Sequence, residues 1–124
     1  QGRGMKEPAI KLVMMPKDTN HLGSIFGGHI LSLIDLAAGV HARSVAPKKY
    51  VTKVMREVEF HAPVYVGDIV SFFTSTSKLG NSSITIKVEV QALRGVDMVS
   101  THNVTSAEVV MVAVDESFKP VTIK

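Results

Sequence analysis

Asp35 is the only acid in a run of good helix formers from Ile30 to Val45, and a loop holding Asn20, Gly23, Gly27 and Gly28 leads into that run. Buried without partners, an ionised carboxylate costs several kcal/mol. Asp35 therefore either caps or salt-bridges something structural, or sits solvated in a cleft for chemistry. The paired glycines favour the second reading. They weaken a helix start, and glycine is tolerated where a backbone must come close to a ligand. Free amides at a helix N-terminus, aided by the macrodipole, suit a developing negative charge. A carboxylate and an oxyanion-binding helix start are two parts of an acyl-transfer site.

Spacing adds a constraint. Gly27 and Asp35 are eight residues apart, roughly 12 Å of rise on one helix. A base or nucleophile and an oxyanion donor must both lie about 3 Å from the reacting group. One helix cannot bring both to one carbonyl. If both act on it, Gly27 of one subunit faces Asp35 of another, and the site lies between two copies.

The elements that must position these groups follow from periodicity. Ile30, Leu31, Leu33, Ile34, Leu36, Ala37, Ala38, Val40, Ala42 and Val45 make the helix apolar on nearly its whole circumference, so it is expected to be buried. It is too short and too punctuated to span a membrane, which takes about 20 apolar residues. Ala9 to Met15 reads as a short strand stopped at Pro16, followed by turn chemistry at Asp18-Thr19-Asn20. Tyr50 to His61 alternates imperfectly, with Val54, Val58 and Phe60 inward and Lys53, Glu57 and Glu59 outward. Pro63 and Gly67-Asp68 mark a turn. Ile69 to Leu79, Ser83 to Leu93 and Val99 to Val114 read as strands, separated by turns at Gly80-Asn81 and Gly95-Val96-Asp97. Ile84, Ile86, Val88 and Val90 alternate with Thr85, Lys87, Glu89 and Gln91, the mark of a sheet with one buried face.

The order is strand, helix, then four strands on short turns, which implies antiparallel neighbours. The fold expected is α+β, one antiparallel sheet wrapped around a central apolar helix. Such a sheet leaves exposed edges, and pairing two sheets edge to edge covers them. That agrees with a two-chain site.

Composition narrows the function. The 124 residues suit one domain, over 5–124, with Gln1–Gly4 before Met5 read as an expression remnant. There is no cysteine, so neither disulfides nor thiolate chemistry can be invoked. No secretory signal or spanning segment is visible, and a cytoplasmic location is expected. The net charge of +3 is spread without a Lys/Arg run and aromatics are 6%, so nucleic-acid binding lacks its usual footprint and no membrane partner is implied. A phosphorylated small molecule suits the mild excess better.

Asn20-x-x-Gly23-x-x-x-Gly27-Gly28-x6-Asp35 resembles the hotdog-fold acyl-CoA thioesterases, and within them the bacterial YciA-type hydrolases. Asp18-Thr19-Asn20, Ile25-Phe26-Gly27-Gly28, Ile34-Asp35, Pro63-Val64, Val66-Gly67-Asp68 and Gly80-Asn81-Ser82-Ser83-Ile84 carry the likeness from about Met14 to Val114. The resemblance implies a hotdog fold, a homodimer as minimal active unit, commonly a homohexamer built as a trimer of dimers, and hydrolysis of acyl-CoA to free acid and CoA. By position it makes Asp35 the catalytic carboxylate and Gly27 the donor to the thioester oxygen. Asn20 would help hold substrate or water, and Thr52 would assist near the carboxylate. Two features depart from the pattern: His29 stands where a Trp often follows the glycines, and Leu36-Ala37-Ala38 where Gly is common.

Thioester hydrolysis needs an activated water and a stabilised oxyanion, and no cofactor; coenzyme A belongs to substrate and product. Asp35 could act as general base or attack directly through a mixed anhydride. Gly80-Asn81-Ser82-Ser83 is the candidate turn for the phosphates of CoA, its alternative being an ordinary hairpin connection. His29, Asp35 and His41 are spaced by six, about 120° apart around a helix, so no metal site is expected. No Gly-x-Ser-x-Gly elbow is present. His21 and His29 read as pocket-lining or loop residues, His61 and His102 as strand surface or interface. Two rivals remain on the same fold, a non-catalytic acyl-CoA sensor and an acyl-thioester hydratase or dehydratase, which would need a His paired with the acid.

Overall fold

Alternating apolar residues and one apolar run of helical spacing become strands and a helix close to where the periodicity places them. The computed structural model describes residues 7–123, and the reading of Gln1–Gly4 lies outside them. Five strands accompany one long helix: β1 (Ile10–Val13), α1 (Gly27–Val45), β2 (Lys49–Phe60), β3 (Ile69–Leu79), β4 (Ser83–Arg94) and β5 (Ser100–Val114). β1 is shorter than the Ala9–Met15 expected, and the chain turns through a 3-10 segment at Pro16–Asp18. No helix among the described residues is long and apolar enough to cross a membrane.

The sheet is antiparallel throughout, in the order β1-β3-β4-β5-β2. Succession therefore does not mean adjacency at two places: β1 pairs with β3 and not with β2, and β2 pairs with β5 and not with β3. The eight residues 61–68 between them exceed the two to five of an ordinary hairpin, and they carry the chain from one side of the sheet to the other. β2 is left as an edge strand.

The concave face holds the core. On α1, Ile30, Ile34, Ala37, Ala38 and Ala42 are buried, a stripe at i, i+4, i+7, i+8 and i+12. They meet Val70 and Phe72 of β3, Ile84, Ile86, Val88 and Val90 of β4, and Val104, Val109, Met111 and Ala113 of β5. Two expectations are corrected. The helix is not buried all round, because Leu36 and Val40 face outward at 58% and 45% exposure in the single chain. Phe60 is not in the core either: opposite buried Thr105 it faces the helix side, but it stands at the rim beside Gly27 and is 55% exposed. Register shifts at Thr52/Val54 and Arg56/Glu59 break the two-residue alternation along β2, and Glu57 there adopts a φ of 55°. Each bulge adds one residue and reverses which face later side chains occupy, so the first moves the helix-facing register from Thr52 to Met55 and the second returns it to Phe60.

The crossing segment is locked by one buried acid. Asp68 is 1% exposed. Arg94 donates to it from Nε at 2.9 Å and Nη2 at 2.7 Å, and the Tyr65 N–H donates at 2.9 Å. Arg94 Nη2 also reaches the Pro63 carbonyl at 3.2 Å. Burial alone would raise the Asp68 carboxyl, but the Arg94 and Tyr65 hydrogen bonds and the guanidinium charge outweigh it and hold the carboxyl below its ordinary value. A carboxyl depressed on folding adds stability above its unfolded pKa and loses it as pH falls through the folded one. Asp68→Ala leaves the arginine unpaired and is expected to cost about 3 kcal/mol. In urea unfolding, the gap between wild type and Asp68→Ala should be full at pH 7 and shrink as the pH drops below 3.8.

Candidate functional site

Asp35 follows buried Ile34 and so lies at the border of the helix stripe, where it can leave the core without leaving the sheet. β2 comes to meet it. Tyr50 Oη donates to the Ala46 carbonyl at 2.9 Å, tying the start of β2 to the end of α1. Two residues on, Thr52 Oγ1 donates to Asp35 Oδ1 at 2.5 Å. Thr52 is exposed and Asp35 half-buried. Among the described residues nothing donates to Asp35 Oδ2.

Gly27 is the first residue of α1, behind Phe26, whose side chain cannot cap. The first amides of a helix have no partner within it, so the start of α1 is without a side-chain cap. At the second position a Cβ on Gly28 would stand 2.6 Å from the Phe26 ring, so a larger residue there would displace that exposed ring. At Gly27 a Cβ would meet only the Phe60 ring, at 3.5 Å. The preceding loop is shaped by Asn20, whose Oδ1 accepts from Leu22 N–H at 2.8 Å and whose Nδ2 donates to Ser24 Oγ at 3.2 Å. A carboxamide bonding its own backbone two residues on is an Asx turn, and Gly23 completes it with a φ of 87°. The Asn20 side chain thus holds the loop that delivers Gly27.

Of the four residues expected to act together, Asp35 and Thr52 meet directly, whereas Gly27 and Asn20 lie at the other end of the helix. Beside Gly27 opens a cavity of about 290 Å³ between the helix start and residues 60–64. Ile25, Ile30, Phe60, Ala62 and Val64 wall it; Asp35 and Thr52 do not.

The turn Gly80-Asn81-Ser82-Ser83 stands at the Thr52 end of the sheet, since Thr52 pairs with Met111 and Met111 with Ile84. Two strand spacings, roughly 10 Å, separate the rows of β2 and β4. Gly80 N–H donates to the Ser83 carbonyl at 2.7 Å. The Ser82 and Asn81 carbonyls accept from Ala113 and Ile123 N–H at 2.8 and 2.9 Å.

The histidines do not converge. His41 is held by Thr74 and Thr76, 3.0 and 2.7 Å from its ring nitrogens, and burial lowers its pKa. His29 Nε2 lies 3.5 Å from Asp18 Oδ2 without a hydrogen bond. Burial would raise Asp18, but the Met15 N–H and the nearby His29 and Lys17 charges lower it overall. Among the described residues no three His, Asp or Glu side chains are grouped to hold a metal. Sequence reasoning missed the Asp18–His29 pair and the position of Phe60. The first is formed by residues eleven apart with no common period; the second depends on β2 ending beside the start of α1.

Comparison with known proteins places this geometry in a family. Residues 22–99 match the model of the thioesterase superfamily. An acyl-CoA thioester hydrolase YciA of Salmonella typhimurium is 34% identical over 116 residues, covering 92% of this chain and 87% of its own. An uncharacterised acyl-CoA thioester hydrolase of Zymomonas mobilis is 38% identical over 115 residues, 92% of this chain and 76% of its own. A hexameric hotdog-fold thioesterase of Campylobacter jejuni superposes with a TM-score of 0.92 at 46% identity, over 98% of this chain and 93% of its own. With one helix seated on a five-stranded antiparallel sheet and a glycine start and lone acid at opposite ends of eight helical residues, the chain belongs to the hotdog-fold thioesterase superfamily.

Proposed function

We propose that the chain hydrolyses the thioester of acyl-CoA to a free carboxylic acid and CoA, at sites formed where two copies meet. One observation carries this reading: β2 touches both halves of the site. Thr52, near its start, donates to Asp35, and Phe60, its last residue, lies against Gly27. An unpaired edge is a template for another strand. Two β2 strands paired antiparallel about a two-fold near Arg56 set Thr52 of one copy opposite Phe60 of the other. The same register sets Lys53 opposite Glu59, twice over, a favourable cross-strand pair. Asp35 of one copy then approaches the helix start of the other, which the length of α1 forbids within a single chain. The activity named for the Salmonella relative and the hexamer named for the Campylobacter one support the reaction and a dimer that assembles further.

In this reading Asp35 is the general base. Thr52 occupies Oδ1 and fixes the carboxylate, while Oδ2 takes a proton from water. The water oxygen bonds to the thioester carbon, and the Gly27 N–H of the other copy donates to the oxyanion. The C–S bond then breaks, and the proton held at Asp35 passes to the departing thiolate. Asn20 acts through the loop that seats Gly27. The turn Gly80-Asn81-Ser82-Ser83, at the Asp35 end of the sheet, receives the nucleotide portion of CoA; the reaction asks for no further cofactor.

Asp35→Asn should fold and assemble normally but lose about a hundredfold or more in kcat on acyl-CoA. A folded Asp35→Asn enzyme at full rate would remove the carboxylate from the mechanism. Two inactive variants should rescue each other: in a mixed dimer of Asp35→Ala and Gly27→Val, one site keeps the intact glycine of the first chain and the intact acid of the second. Random reassortment across a two-fold restores about a quarter of the wild-type rate; verified mixed dimers that stay inactive would rule out a shared site. For the turn, Ser82→Ala with Ser83→Ala should raise KM for acyl-CoA and leave kcat nearly unchanged, because uniform binding is lost. A short thioester without the nucleotide should be hydrolysed as before. Equal losses on both substrates would make the turn scaffold only.

A further inference from the structure

The cavity beside Gly27 is walled by residues of a single chain. Its frame is tied by backbone hydrogen bonds: Ile25 N–H donates to the Val64 carbonyl at 2.7 Å, and His61 N–H to the Val104 carbonyl at 2.8 Å. Ile25 and Ile30 close it from the helix side, Ala62 and Val64 from the crossing segment, and the Phe60 ring stands over Gly27. No acid, lysine or arginine lines it. The one imidazole at its wall, His61, has its Nε2 3.2 Å from Ser106 Oγ and 3.7 Å from Glu59 Oε1, so its polar end is already engaged. Such walls select an apolar group. At about 290 Å³ the space is near the lower end of the roughly 300–1,000 Å³ of small-molecule sites, too small for a nucleotide and its arm together. It opens at Gly27, the residue that faces the thioester oxygen in the reading above.

We propose that this cavity takes the acyl chain of the thioester and that Phe60 sets the length it accepts. The inference rests on the thioester hydrolysis proposed above, and it names the part of the substrate that this chain reads. Phe60 is suited to the task. It lies outside the buried core, half-exposed, so truncating it opens the cavity without emptying the core. A carbonyl held by Gly27 N–H directs the carbon chain into the space between Ile30 and the ring. Chains that fit are stripped of water against Ile25, Ile30 and Val64; longer ones meet the ring and the crossing segment.

The test is kcat/KM on acetyl-, butyryl-, octanoyl- and palmitoyl-CoA for wild type, Phe60→Ala and Ala62→Leu, each checked for fold and assembly. Wild type should favour the shorter chains and fall off at palmitoyl. Phe60→Ala should raise the palmitoyl-to-butyryl ratio about tenfold or more, and Ala62→Leu, which narrows the cavity from the opposite wall, should lower the octanoyl-to-acetyl ratio by a similar factor. The two substitutions pull in opposite directions, which a general loss of packing would not do. Inhibition by the S-butyl and S-octyl thioethers of CoA should shift in parallel, giving a readout independent of turnover. If wild type hydrolyses acyl-CoA and both folded variants keep its chain-length profile, the cavity is not the acyl site. If Phe60→Ala does not fold, an unchanged profile in Ala62→Leu alone overturns the proposal. A wild type that hydrolyses none of the four overturns the thioesterase reading itself, a result distinct from an unchanged profile.

Discussion

How closely α1 lies on its sheet is the constraint from which the rest of the structure follows. Ala37, Ala38 and Ala42, all fully buried, offer no side chain beyond Cβ. They let the second half of the helix settle against β3, β4 and β5, while Ile30 and Ile34 fill the space under the first half. The side chain on the border of that stripe is held in a direction it could not otherwise keep. Asp35 is such a side chain, and its reach to Thr52 is a consequence of alanine packing several residues away. A larger residue in place of Ala38 would lift the helix. Overpacking typically costs about 1–3 kcal/mol in stability, and the carboxylate would leave the strand that fixes it.

Polar clasps then hold the helix against sliding. Near its C-terminal half, His41 spans Thr74 and Thr76 of β3. Burial lowers the imidazole pKa and favours the neutral ring, in which one nitrogen donates and the other accepts. At its N-terminal end the Asn20 loop fixes the approach, and Asp18 and His29 face one another beside it. Behind both, Asp68 and Arg94 secure the crossing segment that supplies Ala62 and Val64. A site must be held to within about 0.5 Å to work, and that precision comes from the shell around it. Here the shell is distributed over every element that touches α1.

The free side of the molecule has the opposite character. β2 ends the sheet, Leu36 and Val40 are exposed on the helix, and Phe60 stands over the cavity mouth. A single chain thus presents its acid and its helix start at two separate places, joined by one strand. In the reading proposed above, pairing of β2 with a copy of itself would cover an edge and join those two groups in one step.

Much of this was legible in the residues. The strict alternation from Ile84 to Gln91 gave β4, the apolar run gave α1, and Gly27-Gly28 marked where it starts, because each signal depends only on near neighbours along the chain. The separation of Gly27 from Asp35 likewise followed from helical rise, which needs no tertiary information. Only the folded chain decided that β2 lies beside β5 and not β3, that Phe60 stands at the rim beside Gly27 and not in the core, and that Leu36 and Val40 are exposed in the single chain. Adjacency in a sheet depends on where a long crossing is tied down, here by Asp68 and Arg94, which are 26 residues apart. The facing of Met55 and Phe60 depends on two bulges, the first shifting the parity of β2 and the second restoring it, without a change in the pattern of residue types. Local periodicity therefore specified the elements, while contacts between residues distant in the chain specified what those elements place together.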